Sequence, residues 1–357
     1  MNFVRMRQGV SGQFVLLLFG AIGGALTSLT VMPLPWLIGA LLASAVARLT
    51  MTLSAPWKVG RNVGQLVLAA TVALAFTPEV LGMMVGLLPF MVMAAIASIA
   101  IACAIAILLT RMSKIDSATA YYSCMPGGMA EMSNLADRRG GSGPLVAIAQ
   151  SIRIILVVII IPVAMYATAG ELPVTAASSP GNQGSLSFFV VILVLAAGCM
   201  GSLVFAKVGM INSWFLGALV VIGALAATEI VAGEMPYGVS ATGQVLLGTV
   251  LGARLDATQL QAARKSVPLF VFGTMALIAA NAAFAFLLVF FLPLDIWTLL
   301  LGNAPGGIAE MSITADVLGA SVAVVTAFHI SRVLIIVGFS DAIYARIFRR
   351  VVRRENM

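Results

Sequence analysis

Charge is what this chain has least of. Asp, Glu, Lys and Arg make up 9% of its 357 residues, against about 25% in soluble domains. With 61% hydrophobic residues and a mean hydropathy of +1.09, the composition needs lipid as its solvent and leaves little soluble mass. Histidine occurs once, at His329, so a histidine-rich metal site cannot be assembled. Cys103, Cys124 and Cys199 form no CxxC and have no histidine near them in sequence; they read as small buried apolar residues. With no metal cluster, cofactor motif or nucleophile–base pair in view, the expectation is a protein without catalytic residues, metal or cofactor, not an enzyme. The net charge of +7 invites a nucleic-acid partner. The cations sit at the ends of apolar runs, however, where they report topology, and no soluble basic domain is there to bind nucleic acid.

What is present in quantity is long apolar runs, several of about 18 or more residues, enough to cross a bilayer core. Candidate spans are 13–31, 33–50, 62–77, 89–110 and 143–168, then 186–206, 211–230, 241–256, 268–292 and 320–345. Arg5 and Arg7 before the apolar run from Phe14 have the look of a signal peptide. The second half has an equivalent helix, so the expectation is a retained first helix.

The two halves are copies. Residues 125–137 read MPGGMAEMSNLAD and residues 304–316 read APGGIAEMSITAD, with nine of twelve positions from Pro126 to Asp137 matching at an offset of 179. Outside this core, Trp36 falls on Trp214, Gly64-Gln65 on Gly243-Gln244, Pro89 on Pro268 and Arg153 on Arg332. The expected organisation is a first repeat over 1–170, a connection over 171–185, a second repeat over 186–345 and a basic tail over 346–357. The copy of the stretch before Pro89 is QLQAARKSV at 259–267, too polar for membrane core. The fourth helix of each repeat is therefore expected to start at Pro89 and at Pro268, where proline suits a first helical turn.

Charge sets orientation. First-half cations fall before helix 1 (Arg5, Arg7), between helices 2 and 3 (Arg48, Lys58, Arg61) and after helix 4 (Arg111, Lys114). In the second half they follow helix 6 (Lys207), lie between helices 8 and 9 (Arg254, Arg264, Lys265) and follow the last helix from Arg346 onwards. Equivalent loops thus lie on opposite faces, which makes the repeats inverted. Inversion needs an odd number of crossings per repeat, so 118–137 and its copy are read as re-entrant hairpins. The expected fold is all-α and polytopic: two inverted repeats, each of five transmembrane helices plus a Pro-Gly-Gly hairpin, with both termini cytoplasmic in the bacterial inner membrane.

Pro126-Gly127-Gly128 and Pro305-Gly306-Gly307 break helices, and such breaks persist in membranes only where buried in protein or lining a polar cavity. Half-helix N-termini there attract an anion, and unwound carbonyls can hold a cation. A simple packing kink is the other reading, weakened by the opposed duplication. Glu131 and Glu310, one turn beyond each proline, are candidates for coupling H+ or Na+, or are carboxylates favouring the helix dipole. Arg153 and Arg332 lie inside their apolar helices. Each either receives a substrate carboxylate or pairs with the hairpin glutamate. Gln150 and His329 sit one turn earlier on the same face; with glutamine as its counterpart, the histidine is not expected to carry an essential symmetric proton role.

The twofold xPGGxAEM motif, each copy followed about 20 residues later by Arg in the last helix, resembles the membrane AbrB family across essentially the whole chain. That family is described as a duplicated domain and labelled a monooxygenase or a regulator. The resemblance implies a membrane-embedded protein whose site residues are the two Pro-Gly-Gly breaks with Arg153 and Arg332. Inverted repeats with glycine-rich hairpins also look like secondary transporters of the glutamate and citrate carrier type. The expected function is a secondary transporter of a small anionic solute coupled to H+ or Na+. The alternative is a membrane-embedded sensor or regulator acting on gene expression indirectly. Expected partners are the solute, the coupling ion and the lipid bilayer, with no nucleic acid; the helix surfaces suit a homodimer.

Overall fold

In lipid the backbone must satisfy its hydrogen bonds internally, and a helix does this within one segment. The computed structural model describes residues 10–30, 32–51, 53, 58–113, 115–169 and 184–348; among them it contains helices and no β-strand. Arg5, Arg7, Lys114, most of the expected connection and the tail beyond Phe348 lie outside the described residues. The first half forms α1 (Val10–Ser28), α2 (Pro35–Thr50), α3 (Lys58–Ala73), α4 (Pro78–Met112), α5 (Ser117–Cys124), α6 (Met129–Arg138) and α7 (Gly143–Ala169). The second forms α8 (Phe188–Lys207), α9 (Ser213–Ala227), α10 (Tyr237–Gly252), α11 (Ala257–Ala262), α12 (Val267–Leu288), α13 (Ile296–Asn303), α14 (Ile308–Val317) and α15 (Val322–Ile343), closed by a π-helical turn (Tyr344–Phe348).

Among the described residues, five helices are long and apolar enough to cross a membrane: Pro78–Met112, Gly143–Thr168, Phe188–Lys207, Val267–Leu288 and Val322–Arg346. α1, α2 and α9 are apolar but shorter. This is the architecture of an all-helical, multi-pass membrane protein.

The duplication reaches the local structure. α2 and α9 both follow a residue in the left-handed region, Leu34 (φ 53°) and Asn212 (φ 54°), at equivalent positions. α5 and α13 both start on an aspartate cap: Asp116 Oδ1 accepts from the Thr119 amide and Asp295 Oδ1 from the Thr298 amide, each at 2.8 Å. α5 and α6 correspond end to end with α13 and α14 at the offset of 179.

The expected start at Pro89 is overturned in the first half. α4 begins at Pro78 and carries Pro89 in its interior. Two prolines could have opened this helix, and Pro78 does; Pro89 then removes one hydrogen bond without ending the helix. In the second half the expectation holds: the polar stretch forms the short α11 and a turn, and α12 opens with Pro268 in its first turn.

The chain forms two compact units, each drawing on both sequence halves: Met1–Val85, Val158–Ala257 and Ser312–Ala323 make one, and Gly86–Val157, Thr258–Met311 and Val324–Met357 the other. The first unit is built on close helix crossings at small residues. A Cβ on Gly23 or Gly39 would strike the backbone of the other, and the same holds for the equivalent pair Gly201 and Gly217. α2 and α10 run in the same direction, with Gly248 against Leu37 and Ala40, and Gly252 against Leu41 and Ala45. α3 and α10 run oppositely, with Gly64 against Leu246 and Leu247, and its copy Gly243 against Val67 and Leu68. The α3–α10 crossing maps onto itself when the repeats are exchanged.

The second unit is filled by larger side chains. Tyr121 and Tyr122 of α5 are fully buried and meet Tyr344 at ring separations of 5.2 and 5.4 Å. Ser98 on α4 donates to Asn281 Oδ1 on α12 at 2.9 Å, so the polar groups of these two apolar helices satisfy each other.

The crossings make a prediction. Leu in place of Gly39 overpacks the α1–α2 contact, at a cost of about 1–3 kcal/mol, whereas Leu in place of Gly82, which has no heavy atom within 4 Å of its Cβ position, costs little. Thermal unfolding in detergent should separate the two variants by several degrees. Equal melting temperatures would contradict the crossing.

Candidate functional site

The site lies within the second unit and is built twice. α5 and α13 each run eight residues before Pro126 and Pro305 stop them, leaving the last carbonyls of each helix without intrahelical donors. In a buried segment each such carbonyl needs another partner.

Arg153 and Arg332 supply it. Arg153 Nη1 donates to the Met125 carbonyl at 3.0 Å. Arg332 Nη1 donates to the Ala304 carbonyl, the copy of Met125, at 2.6 Å and to Asn303 at 3.3 Å, and its Nη2 donates to Gly306 at 3.1 Å. The arginines are 3% and 2% exposed, and a cation at the C-terminal end of a helix also meets the negative end of its dipole. Of the two readings open at the sequence level, solute carboxylate or glutamate partner, the geometry gives the glutamates no part. Among the described residues neither guanidinium pairs with a carboxylate.

Gln150 and His329 complete the two clamps in the same way. Gln150 Nε2 donates to the Tyr122 carbonyl at 2.8 Å and to Met125 at 2.9 Å, while its Oε1 accepts from Arg153 Nη2 at 2.5 Å. His329 Nε2 lies 2.9 Å from the Leu301 carbonyl, the copy of Tyr122, and Nδ1 lies 2.7 Å from Arg332 Nη2. Arginine can only donate, so Nδ1 accepts and Nε2 carries the proton. The imidazole is thus held neutral in one tautomer and does the work of a glutamine amide.

On the far side of each break a helix begins. Gly128 is the cap of α6 and Glu131 its third residue; Gly307 and Glu310 hold the same positions at α14. A Cβ on Gly128 would collide with the Glu131 carboxylate, and a Cβ on Gly307 with that of Glu310. The glutamate folds back over the cap from the third helical position, the geometry of half a capping box, and this explains the P-G-G-x-x-E spacing. Gly127 and Gly306 are packed against the equivalent side chains of Met132 and Met311. The two tips differ in access: Glu131 is half-buried and Ala130 exposed, whereas Glu310 is 7% exposed and Ala309 buried.

The other polar residues of the duplicated motif lie apart from the clamps. Asp137 Oδ1 accepts from the Gly143 amide at 2.7 Å and so caps α7. Asp316, its copy, is pushed up to about 6 by burial and then by the Glu234 carboxylate. Gln65 Nε2 donates to Asn212 at 2.6 Å and Trp36 Nε1 to the Tyr237 hydroxyl at 2.5 Å, both within the first unit. Sequence reasoning missed the aspartate caps of α5 and α13, although D-x-x-T recurs at the offset of 179. It also missed that backbone carbonyls are the arginines' partners.

Glutamine in place of His329 should keep the clamp, and leucine should not. His329→Gln is expected to melt with the wild type above about pH 7 and to outlast it as the pH falls below about 6.5, because the unfolded imidazole takes up a proton that the clamped one excludes. His329→Leu strands the Leu301 carbonyl and one Arg332 N–H, at a cost of about 1–3 kcal/mol. The same acid-induced loss of stability in the wild type and in His329→Gln would contradict the fixed neutral tautomer.

The chain is 28% identical over 348 residues to the uncharacterized protein YhjN of Bacillus subtilis (strain 168), covering 91% of this chain and 90% of that one. It is 26% identical over 245 residues to the putative regulator AbrB of Escherichia coli (strain K12), covering 66% and 68%. A family model described as transition state regulatory protein AbrB matches residues 36–349, a span that takes in both helix breaks and both arginines, and the chain belongs to the AbrB family.

Proposed function

We propose that this protein is a secondary transporter of a small anionic solute, working by alternating access and coupled to H+ or Na+. The observation that carries the reading is the pair of equivalent helix breaks, each braced by a buried arginine and each opening a new helix with a glycine cap. Half-helix N-termini favour anions. In each copy the glutamate carboxylate lies over the cap where a solute anion would be drawn. Protonating the glutamate frees that end for the solute, which gives a direct route for coupling to protons.

Inverted repeats support alternating access. α2 runs with α10, and α3 runs against it, which fits equivalent helices of opposite direction. Through-space pairs fit the same topology: Arg48 bonds Asp256 and Arg139 bonds Asp341, each at 2.6 Å, and all four residues belong to the face read as cytoplasmic. We accordingly read ten crossings, two re-entrant hairpins entering from opposite faces, both termini in the cytoplasm and an inner-membrane location, with the bilayer and a second copy of the chain as partners. No enzymatic step and no nucleic-acid contact is part of the reading.

A second reading is favoured by the names of the Escherichia coli relative and of the family, which speak of regulation. Under it the same site binds its ligand and the change is read by another protein, with no net movement of solute.

The test starts with thermal stability of the detergent-purified protein against acetate, glutamate, succinate and citrate, with and without Na+, at two pH values. A ligand at about 100 times its dissociation constant adds roughly 2.7 kcal/mol. Stabilisation by a carboxylate, stronger and less dependent on pH in Glu131→Gln, and followed by uptake of that carboxylate into wild-type proteoliposomes, is the expected result. Binding without uptake under any ion gradient would move the account to the sensor reading. No stabilisation by any anion would overturn both.

A further inference from the structure

The two clamps hold more positive charge and more donors than the backbone beside them uses. Arginine offers five N–H groups. Arg153 directs one to Met125 and one to Gln150. Arg332 directs its Nη groups to the Asn303, Ala304 and Gly306 carbonyls and to His329. The Nε of each arginine is buried without a partner among the described residues, as is the hydroxyl of Ser123 at the end of α5. Both guanidiniums belong to one compact unit, and the helix of Arg153 reaches the second break: Val157, one turn beyond Arg153, packs against Gly306, whose carbonyl accepts from Arg332. Their side-chain partners, Gln150 and the neutral His329, bring no negative charge, and no carboxylate among the described residues is paired with either.

Two like charges held near each other out of water repel strongly, and buried guanidiniums are ordinarily matched by an anion that accepts from several N–H groups at once. The carbonyl ends of α5 and α13 offset part of this charge, while the carboxylates of Glu131 and Glu310 are folded over the N-terminal ends of their own helices, α6 and α14.

We infer that Arg153 and Arg332 together select a doubly charged small anion over a singly charged one. This deepens, and rests on, the reading of the site as an anion site. The shared chemistry is two negative charges with several acceptor oxygens, met by a short dicarboxylate or by a tetrahedral oxyanion such as hydrogen phosphate or sulfate. A divalent anion offers each guanidinium a charge, whereas a monovalent one leaves one of them uncompensated.

The experiment is calorimetric titration of the purified full-length protein at pH 7.5 with succinate, butyrate, inorganic phosphate, sulfate and chloride. Succinate, sulfate or phosphate should bind at least about tenfold more tightly than butyrate or chloride, a gap of about 1.4 kcal/mol. A succinate response without sulfate or phosphate identifies a dicarboxylate site; the converse identifies an oxyanion site. Arg153→Gln, which keeps a donor for the Met125 carbonyl, should retain binding while the divalent-to-monovalent ratio falls towards one; circular dichroism confirms that it is folded. Should Arg153→Gln fail to fold, Arg153→Lys, which keeps the charge, should keep the wild-type ratio. Equal affinity for butyrate and succinate would overturn the inference and leave the anion reading standing. No heat from any anion would overturn both.

Discussion

A helix that stops inside a membrane protein leaves carbonyls with no donor, and the second unit depends on how two sets of them are met. The solution is the same in both copies. A buried arginine on the following long helix reaches back about 28 residues and donates to the last carbonyl before proline, and the residue one turn earlier donates to the carbonyl three positions before that. Arginine suits this because it remains charged when buried and fans its donors in a plane. With the carbonyls satisfied, the break keeps its glycines free to shape the start of the next helix.

The substitution of histidine for glutamine between the two copies says what this position must do. Both side chains present a donor and an acceptor at a similar spacing, one to a backbone carbonyl and the other to the arginine. Charge on the imidazole would remove the acceptor that Arg332 needs. The chain's one histidine is therefore a structural member of the clamp, which in the proposed reading leaves proton coupling to Glu131 and Glu310. Those carboxylates are held over glycine caps, a position from which a change of protonation alters the field at the helix end.

Much of this was legible in the sequence because it was written twice. The duplication located the breaks, paired Arg153 with Arg332 and Gln150 with His329, and placed the glutamates one turn into the next helix. What stayed hidden was whatever has no letter of its own. The arginines were expected to meet carboxylates, from a solute or from the hairpin; the partners found are main-chain oxygens of Met125 and Ala304, and any residue type could have supplied them. Pro89 looked like a helix start because its copy Pro268 is one, yet the apolar residues after Pro78 carry α4 through it. The interleaving of the halves into two compact units was equally out of reach, since which helix packs on which is decided by close contacts such as Gly23 with Gly39, not by local pattern.

The central claim is that two equivalent breaks enter one site from opposite faces of the membrane. The direct measurement is labelling of single cysteines at the equivalent positions Arg138 and Val317, which end α6 and α14, in a background where Cys103, Cys124 and Cys199 are replaced. A membrane-impermeant maleimide is applied to right-side-out and to inverted vesicles. The account predicts that Arg138→Cys reacts from the cytoplasmic face only and Val317→Cys from the opposite face only. Reaction of both from the same face would contradict it.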